Sequence, residues 1–575
     1  MNHKIILKDV FKGYTLDQDK LFPPEETVRR FKEKLKTVNL DILEGTVRID
    51  NGRIGIPVYF SLCGKDAEAV IGTRKQMGKG GTPQQAEASA MMELAERFSF
   101  FSFRNNPNNF VVKTYRDVKE YGLSFDTIAL SVHDDSDDLE KAKKIFADLP
   151  MKWTWGYSLT RDRKVLIPFD WFYTINEFNG PSAGNCAEEA ILQGICEVVE
   201  RHVSSLISRN RLKTDAVAPD SATDSLVLEM IRKYRAVGVQ LFVSDFSLDT
   251  GIPTVGVLAY DPSTYPKDSE IVWTAGTTPD PQKALGRALT EVAQLAGDFT
   301  VRSNYVASGL PKLKSLEEAH YVLNADREKD IFSLPDLSND NIRIEIENCL
   351  SALSRSGLEV VLIDIMHPDL GIPAFYTIIP GAHFRERAAA TSVAMFTAKL
   401  IAENQRPERA VAELMRMEDL MPGKYYLNFY LGTCFLAMNE TKRALEYLYA
   451  ALGMGPMDQD IPSIYSYMAL CLKEEEKYRE ALSVLEKAER YDNERTDVYN
   501  LMGFCYFKLK EHEKAIECFQ KVIALDPGSA IDYANIASNY REMGEKDKAM
   551  AYYRIALEMD PSIDFAREGL EGLQD

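Results

Sequence analysis

The chain has 575 residues, 45% of them hydrophobic, and a formal net charge of −19. This length suits two to four domains, and the acidic balance argues against a general nucleic-acid-binding protein. No apolar run approaches the roughly 20 residues that span a bilayer, and the N-terminus lacks the apolar core of a signal peptide. The eight cysteines form no C-x-x-C pair and the seven histidines no H-x-x-H spacing, so we expect a reduced cytoplasmic protein without a zinc site.

A turn tripeptide, Gly-Ile-Pro, occurs three times along the first two thirds of the chain, at 55–57, 251–253 and 371–373. Each copy is preceded by a short segment ending near an aspartate and is followed by apolar, β-favouring residues. The pattern predicts a strand–turn–strand hairpin used three times, with chance recurrence of the tripeptide as the alternative. The more polar segments 132–148 and 308–345 are predicted to be peripheral.

A helical motif also recurs, as QAEASAMMELAER at 85–97, EAILQGICEVVER at 189–201 and, more weakly, KALGRALTEVAQ at 283–294. We call these copies one, two and three. A helix places positions i, i+4 and i+7 or i+8 on one face. Polar stripes therefore form from Ser89, Glu93 and Glu96 in copy one and from Glu189, Gln193, Glu197 and Glu200 in copy two. In the weaker copy three, Arg287, Glu291 and Gln294 fill the corresponding positions.

Small and apolar residues surround these stripes, so the helices are predicted to be largely buried. Two unit charges at 4 Å interact by about 4 kcal/mol at an effective dielectric of 20. Five carboxylates that meet in one site therefore need compensation, which three arginines supply in part. The remainder predicts a hard divalent cation with oxygen ligands, and Mg²⁺ fits if phosphates provide the other ligands. A solvated surface face is the alternative interpretation of a single Glu-x-x-Glu-Arg copy.

A glycine-containing turn precedes each copy, at 78–83, 182–185 and 274–279. Glycine permits tight turns, Thr or Asn can cap the following helix, and Pro suits its first turn. Free N–H groups at helix starts bind anions. Several such turns beside carboxylate stripes indicate a nucleotide polyphosphate bridged by metal.

From about residue 390 the sequence changes to continuous helical periodicity with a 34-residue repeat. Two repeats, 496–529 and 530–563, align closely, and earlier ones are less regular. The shared small and aromatic positions are Tyr499, Met502, Gly503, Tyr506, Ala515, Phe519 and Pro527 in the first, and Tyr533, Ile536, Ala537, Tyr540, Ala549, Tyr553 and Pro561 in the second. This pattern is typical of tetratricopeptide repeats, whose stacked helices form an interaction surface. The sequence therefore predicts two domains, 1–388 and 389–575.

Together these motifs resemble those of the YcaO family of ATP-dependent proteins that activate backbone amides. The family pattern S-x-x-x-E-x-x-E-R is met in copy one, and S-A-G-N-x-x-x-E-A and Q-x-x-x-E-x-x-E-R are met around copy two. A later P-D-x-x-x-A-L-x-R-x-x-x-E element runs from Pro279 to Glu291, and the resemblance covers roughly residues 1–385. It implies an α+β domain of repeated β-hairpin and helix units, followed here by an all-α tetratricopeptide superhelix.

The resemblance also implies the roles of individual residues, with ATP and Mg²⁺ as cofactors. The implied metal ligands are Glu93, Glu96, Glu189, Glu197 and Glu200. The residues implied to contact the nucleotide are Lys20, Thr27 (where the family usually has serine), Ser89, Arg97, Ser182, Asn185, Gln193 and Arg287. The implied catalytic residues are Glu93, Glu197 and Arg201.

The implied reaction is phosphorylation of a peptide amide oxygen, followed by addition of a nucleophile that gives an azoline or a thioamide. Peptide cyclodehydratases of the family commonly end in a proline-rich tail, whereas this chain ends in REGLEGLQD after a helical repeat. The ending favours the branch with a helical C-terminal region, which is associated with accessory function in the methylthiolation of a small-subunit ribosomal protein. A non-catalytic nucleotide-binding scaffold is the alternative from another class.

The expected partners are a protein or peptide substrate, a sulfur-delivery or methylthiotransferase protein, and a second copy of the chain in a homodimer. Neither nucleic acid nor membrane is expected as a partner.

Overall fold

The computed structural model describes residues 4–574 apart from 135, 301–308, 385–390 and 527. The chain divides into two compact units. The first unit contains Met1–Asp135 and Ala147–Ser392, and the second contains Ser136–Phe146 and Val393–Asp575. The predicted domain boundary between 388 and 389, like Pro527 of the repeat pattern, lies outside the described residues.

Fourteen strands occur within the described residues, all of them in the first unit. They are β1 (Leu43–Arg48), β2 (Val58–Cys63), β3 (Lys75–Lys79), β4 (Val111–Lys113), β5 (Met151–Ser158), β6 (Arg163–Pro168), β7 (Pro181–Ala183), β8 (Ala216–Val217), β9 (Gln240–Asp245), β10 (Thr254–Tyr260), β11 (Val272–Thr277), β12 (Glu328–Lys329), β13 (Val361–Asp364) and β14 (Ala374–Ile378). They form three sheets, ordered β1-β2-β3, β11-β10-β9-β8-β12 and β4-β5-β13-β14-β7, with β6 paired to β5.

The α-helices of the described residues run through both units. They are α1 (Pro24–Leu35), α2 (Lys65–Ile71), α3 (Pro83–Asn105), α4 (Tyr115–Val118), α5 (Phe125–Ala129), α6 (Leu139–Phe146), α7 (Phe169–Asn176), α8 (Ala187–Asn210), α9 (Ser225–Ala236), α10 (Pro281–Ala296), α11 (His320–Leu323), α12 (Ile342–Arg355), α13 (Val393–Asn404), α14 (Pro407–Leu420), α15 (Tyr425–Ala437), α16 (Thr441–Gly453), α17 (Ile461–Glu474), α18 (Tyr478–Tyr491), α19 (Thr496–Lys508), α20 (His512–Leu525), α21 (Ala530–Glu542), α22 (Lys546–Met559) and α23 (Asp564–Glu571). Within the described part of the chain, none of them combines the length and apolarity that a membrane-spanning helix needs.

The three predicted hairpins are confirmed. Antiparallel pairs β1–β2, β9–β10 and β13–β14 each enclose one Gly-Ile-Pro turn. The glycines of the turns, Gly55, Gly251 and Gly371, have φ values of 73°, 69° and 59°. These left-handed conformations are open to glycine without the steric cost that a Cβ atom brings, which explains why this residue recurs at the turn.

A third antiparallel strand joins each hairpin and leads into a long helix. Strand β3 precedes α3, β7 precedes α8 and β11 precedes α10. In copies one and three the third strand is the next strand after the hairpin along the chain. In copy two, β7 and α8 come well before the hairpin β13–β14 in the chain, so this unit is assembled from distant segments.

Each long helix approaches its third strand so closely that one of the facing positions must be small. A Cβ atom on Gly78 would lie 2.0 Å from Ala90 N of α3, and one on Gly276 would lie 2.3 Å from Ala284 O of α10. Copy two reverses the arrangement: Ser182 occupies the strand position, and the helix opposite carries Gly194, whose added Cβ would lie 2.7 Å from Ser182 Oγ. Close packing of this kind tolerates no added methyl group without movement.

The helix starts differ in part from the sequence prediction. Thr82 caps α3 by accepting a hydrogen bond from Gln85 N, with Pro83 in the first turn, as expected. The caps of α8 and α10 are Cys186 and Asp280 rather than Asn or Thr. Aspartate is as strong a capping residue as asparagine, so the α10 cap fits the same physical rule.

The second unit is all-helical. Helices α19 and α20 form the repeat at 496–529, and α21 and α22 form the next one. A Cβ atom on Gly503 of α19 would lie 2.7 Å from the Phe519 ring of α20, and the ring of Tyr553 is fully buried. These small and aromatic positions are thus packing positions, in line with the repeat pattern.

The sequence predicts that the segment 132–148 is peripheral. This prediction is wrong for the part that forms α6. Helix α6 belongs to the second unit, where Ala142 and Phe146 are fully buried and Asp138 pairs with Lys424 at 2.6 Å. The apolar residues of α6 are few and lie among many charges, which hides the amphipathic helix in the sequence. The segment 308–345 supplies the sheet-edge strand β12.

Candidate functional site

Three helices, α3, α8 and α10, contribute polar side chains to one cavity of about 280 Å³. Counted from Gly78, Ser182 and Gly276, the residues 11, 15 and 19 positions further along the chain line the cavity in each copy. The lining residues are Ser89, Glu93, Glu96 and Arg97 of copy one, Glu189, Gln193, Glu197 and Arg201 of copy two, and Arg287, Glu291, Gln294 and Leu295 of copy three. The polar stripes predicted separately therefore meet in a single site.

The N-terminal segment forms another wall and delivers Gln18, Lys20 and Phe22. Ion pairs attach this segment to the rest of the first unit. Lys12 Nζ contacts Asp19 Oδ2 at 2.6 Å and Glu345 Oε1 of α12 at 2.7 Å, and Lys12 is nearly fully buried. Burial raises the pKa of Glu345 to about 7, against the opposing effect of Lys12. The segment is thus fixed by a buried charge network.

A hydrogen bond joins the N-terminal segment to the glycine-containing turn before α3. The side chain of Asp17 accepts a hydrogen bond from Gly81 N at 2.5 Å. Burial raises the pKa of Asp17 to about 6. The N–H groups of this turn were expected to be free to bind an anion. One of them, that of Gly81, instead donates to a carboxylate of the chain itself.

The cavity lining contains as many cationic as anionic side chains, unlike the carboxylate surplus expected from the stripes. Lys20 and Lys79 join the three arginines and restore the balance. The carboxylates are Glu93, Glu96, Glu189, Glu197 and Glu291, and the cations are Lys20, Lys79, Arg97, Arg201 and Arg287. Such a lining suits a ligand that is itself a complex of anion and cation, because either ion alone would meet like charges.

Ion pairs hold the carboxylates of copy one in place. Arg97 contacts Glu93 at 2.8 Å and Glu96 at 3.5 Å, and it donates a hydrogen bond to Phe178 O at 3.0 Å. In copy two the corresponding pair is looser, with 3.9 Å between Arg201 Nη2 and Glu197 Oε1.

Glu189 connects the N-terminal segment to α8. It accepts hydrogen bonds from Leu21 N at 3.1 Å and from Asn185 Nδ2 at 3.0 Å, and it lies 3.5 Å from Lys20 Nζ. Asn185 in turn accepts from the Thr27 hydroxyl at 3.1 Å. Lys20, Thr27 and Asn185, three of the predicted nucleotide-contacting residues, are therefore neighbours on one side of the cavity.

The carboxyl groups differ in how readily they ionise. Burial raises the pKa of Glu96 well above its ordinary value, and the nearby Glu93 carboxylate adds to the effect. Burial also raises the pKa of Glu197, although Arg201 and Arg97 oppose it. Burial alone would raise the pKa of Glu291, but Lys79 lowers it below the ordinary value. An added cation would therefore favour the charged forms of Glu96 and Glu197.

Two predicted site residues lie outside this lining, which corrects their placement. Ser182 is fully buried between β7 and α8, and its hydroxyl donates to Ala190 O at 2.8 Å, so it is a packing residue. Glu200 is 1% exposed and accepts hydrogen bonds from Thr277 N at 3.1 Å and Arg287 Nε at 3.2 Å. Glu200 therefore orients Arg287, whose guanidinium also donates to the Gln193 amide.

The described residues contain no group of three or more His, Cys, Asp or Glu side chains placed to hold a metal ion by themselves. The site is therefore not a preformed protein cage. The carboxylates of Glu93, Glu96 and Glu197 nevertheless line one cavity, and they fit Mg²⁺ of the kind that takes one or two carboxylates and completes its shell with water and phosphate oxygens.

Sequence reasoning missed several lining residues. Lys79 lies in the glycine-containing turn before copy one, and Glu291 occupies the glutamate position of copy three, so a sequence signal marks both residues. Phe178 and Asn179 line the cavity from the segment before β7, where no motif marks them.

The family model described as YcaO cyclodehydratase, ATP- and Mg²⁺-binding, matches residues 77–383, which is more than half of the chain. The chain belongs to the YcaO family. Two further models, both of tetratricopeptide repeats, match residues 496–529 and 533–563. The predicted resemblance and the repeat array are thereby confirmed, and ATP and Mg²⁺ are the cofactors of the family domain, as predicted.

Proteins that are similar in sequence to this YcaO chain include the following two. An uncharacterized protein of Methanothermobacter thermautotrophicus is 30% identical over 379 residues, 62% of this chain and 93% of its own. The ribosomal protein S12 methylthiotransferase accessory factor YcaO of Escherichia coli is 27% identical over 399 residues, 62% of this chain and 64% of its own.

Two solved structures share the fold of the YcaO domain. A heterocyclase in complex with substrate and cofactor aligns with a TM-score of 0.55 at 23% identity, over 66% of this chain and 55% of the heterocyclase. YcaO from Methanopyrus kandleri bound with AMPPCP and Mg²⁺ aligns with a TM-score of 0.50 at 22% identity, over 65% of this chain and 95% of that protein. The predicted fold class, an α+β domain followed by an all-α repeat region, is confirmed.

Proposed function

We propose that this YcaO protein is a magnesium-dependent, ATP-using enzyme that activates a backbone amide of a peptide or protein. The observation that carries the proposal is the convergence of three quasi-equivalent helices on one cavity with balanced charges. A Mg²⁺–polyphosphate complex brings positive and negative charge together, and this lining offers partners for both.

In the proposed site the arginines and Lys20 bind phosphate oxygens and neutralise the charge that develops during phosphoryl transfer. Glu93, Glu96 and Glu197, with Glu189 beside them, hold the metal ions, which supply further charge neutralisation when bound. Ser89 and Gln193, with Thr27 and Asn185, offer hydrogen bonds that position the nucleotide. Ser182 and Glu200 support the site from behind rather than contacting the ligand.

The proposed chemistry turns the amide oxygen into a good leaving group, after which a nucleophile adds to the amide carbon. A side chain of Cys, Ser or Thr as nucleophile gives an azoline, and external sulfide gives a thioamide. The relative in Escherichia coli, named as an accessory factor of a methylthiotransferase, supports a second candidate in which this protein assists the modification of a ribosomal protein. A sulfur-delivery or methylthiotransferase protein is then the proposed partner.

The first test is Mg²⁺-dependent ATP binding and hydrolysis by the full chain. We expect Glu197→Ala to weaken ATP binding at least tenfold in Mg²⁺, about 1.4 kcal/mol, and to abolish most ATP turnover, because Glu197 lines the cavity and belongs to the proposed metal-binding set. Glu87→Ala is the matched control, since Glu87 lies on α3 but outside the cavity lining, where it pairs with Lys32 and Thr46.

Equal ATP affinity of Glu197→Ala and the parent protein would contradict the assigned roles. Binding without turnover, with or without candidate peptides, would instead support the alternative of a nucleotide-binding scaffold that recruits partners through its tetratricopeptide repeats.

A further inference from the structure

Copy three of the helical motif departs from the other two at the positions that carry charge. Glu291 corresponds to Glu93 and Glu197. The next two motif positions, Glu and Arg in copies one and two, are Gln294 and Leu295 in copy three. The third helix therefore presents a single carboxylate to the cavity without an arginine four residues further on to compensate it.

A lysine from another copy supplies the missing cation. Lys79 is the last residue of β3 in copy one, and its ammonium group contacts the Glu291 carboxylate of α10. The equivalent positions beside Ser182 and Gly276 are Ala183 and Thr277, so copy one alone provides a lysine here. Both side chains line the cavity, and they are only 13% and 9% exposed.

This pair is electrostatically coupled to its surroundings. Burial lowers the pKa of Lys79, against the attraction of Glu291, while Arg287 lowers it further. Without Glu291, the ammonium group would face the guanidinium of Arg287 with one compensating charge fewer. Glu291 thus has a structural role as the ion-pair partner that favours the charged form of Lys79 inside the cavity.

We infer that Lys79 is a fixed cation that contacts the polyphosphate directly, and that Glu291 positions Lys79 instead of binding a metal ion. The inference rests on the proposed nucleotide function and deepens it. Copies one and two then require Mg²⁺ at their glutamates, whereas Lys79 of copy one compensates the glutamate of copy three. A lysine ammonium is a compact point charge that suits phosphate oxygens, and chelators do not remove it.

Two components of ATP affinity follow from this arrangement. One depends on Mg²⁺ and on Glu93, and the other persists when EDTA removes the metal and depends on Lys79. Isothermal titration of the full chain with ATP, in Mg²⁺ and in EDTA, separates the two. The variants are Lys79→Gln, Glu291→Gln and Glu93→Gln, with Lys75→Gln as the matched control, because Lys75 lies on the same strand with an exposed side chain over Phe60.

We expect Lys79→Gln to weaken ATP binding about tenfold in both buffers, and Glu93→Gln to weaken it in Mg²⁺ alone. Glu291→Gln is expected to retain the gain in affinity that Mg²⁺ gives. Tryptophan fluorescence during urea unfolding checks that the variants are folded, since the four tryptophans, Trp153, Trp155, Trp171 and Trp273, all lie in the first unit.

Two results would overturn the inference. One is a Lys79→Gln protein that binds ATP in EDTA as tightly as Lys75→Gln does. The other is a Glu291→Gln protein that loses the Mg²⁺-dependent gain as Glu93→Gln does, which would make Glu291 a metal ligand. If the parent protein shows no Mg²⁺-dependent gain, the proposed function fails, and the titrations in EDTA still decide the role of Lys79.

Discussion

Three histidines of the first unit stack on one another outside the proposed site. The rings of His133 and His383 lie 3.5 Å apart and nearly parallel, and His202 lies 5.4 Å from His383. The Nδ1 atom of His202 accepts a hydrogen bond from His383 N at 3.0 Å, which requires that nitrogen to be unprotonated. The charged groups that face the cluster are Arg209 and Asp249.

Burial lowers the pKa of His202 to about 4, although Asp249 opposes the shift. Burial also lowers the pKa of His383 to about 3, with His133 and His202 adding to the effect. In the unfolded chain a histidine has a pKa near 6.5. The unfolded state therefore binds more protons below that value, so the stability that these groups permit above about pH 6.5 is lost as the pH falls toward 4.

We predict a pH-dependent stability difference between the parent protein and His202→Asn. Asparagine keeps an acceptor for His383 N but does not titrate. At pH 5.5 the parent should have lost about 1.4 kcal/mol more of its unfolding free energy, relative to pH 7.5, than the variant. Urea unfolding followed by tryptophan fluorescence measures this, with the exposed His320→Asn as control. Equal losses in parent and His202→Asn would show that His202 is not the titrating group.

At the scale of elements, the decisive feature is the distance between each third strand and its helix. Ser61 of the hairpin strand β2 donates a hydroxyl hydrogen bond to Ala90 O at 2.8 Å, and Thr274 of the third strand β11 donates one to Ala288 O at 3.0 Å. These contacts, with the glycines opposite the helices, fix the rotation of α3 and α10 about their axes. The rotation of each helix determines which of its side chains face the cavity. The packing of the helix against its strands therefore determines which chemical groups line the site.

We predict that Gly276→Ala destabilises the first unit by at least about 2 kcal/mol, since its methyl group would collide with the backbone of α10. Gly286→Ala, on α10 itself, is the matched control. Its methyl group would meet Val227 Cγ2 at 3.3 Å, a side chain that can adjust, and alanine is the better helix former by about 1 kcal/mol. The free energy of unfolding of Gly286→Ala should therefore differ from that of the parent protein by less than about 1 kcal/mol.

Urea unfolding followed by tryptophan fluorescence again provides the measurement. Similar unfolding free energies for Gly276→Ala and the parent would mean that β11 and α10 can separate at little cost. The fixed orientation of Arg287 and Glu291 would then need another explanation.

At the scale of the whole molecule, the two units differ in how far apart in the sequence their contacting segments lie. The first unit builds its site from segments that are far apart in sequence, such as β7 with β14 or the N-terminal segment with α12. The second unit stacks helices in sequence order, so each repeat contacts mainly its neighbours. Substitutions in the repeats are therefore expected to act locally, whereas substitutions around the cavity act across the whole first unit.

We predict that the full chain forms a homodimer in solution. Most oligomers of soluble proteins pair identical surfaces in this way, and a repeat array gives an extended surface for such pairing. Sedimentation equilibrium at several protein concentrations measures the mass. A particle of twice the chain mass would support the prediction, and a single-chain mass throughout the concentration range would refute it.

The sequence alone determined the elements that depend on local chemistry. Glycine in the hairpin turns, polar stripes at helical spacing and the 34-residue repeat each follow from backbone sterics and from the period of one element. They therefore predicted the hairpins, the acid-rich helices and the repeat array. The combination of motifs also identified the family, and with it ATP and Mg²⁺.

The tertiary structure alone decided which charges meet and which side chains merely pack. Lys79 reaches Glu291 because β3 and α10 lie side by side, although the two residues are more than 200 positions apart. Ser182 and Glu200 fit the motif as well as their neighbours do, yet Ser182 of β7 packs against α8, and the rotation of α8 turns Glu200 toward Arg287. Such pairings depend on distances between segments distant in the chain, and no periodicity within one segment encodes them.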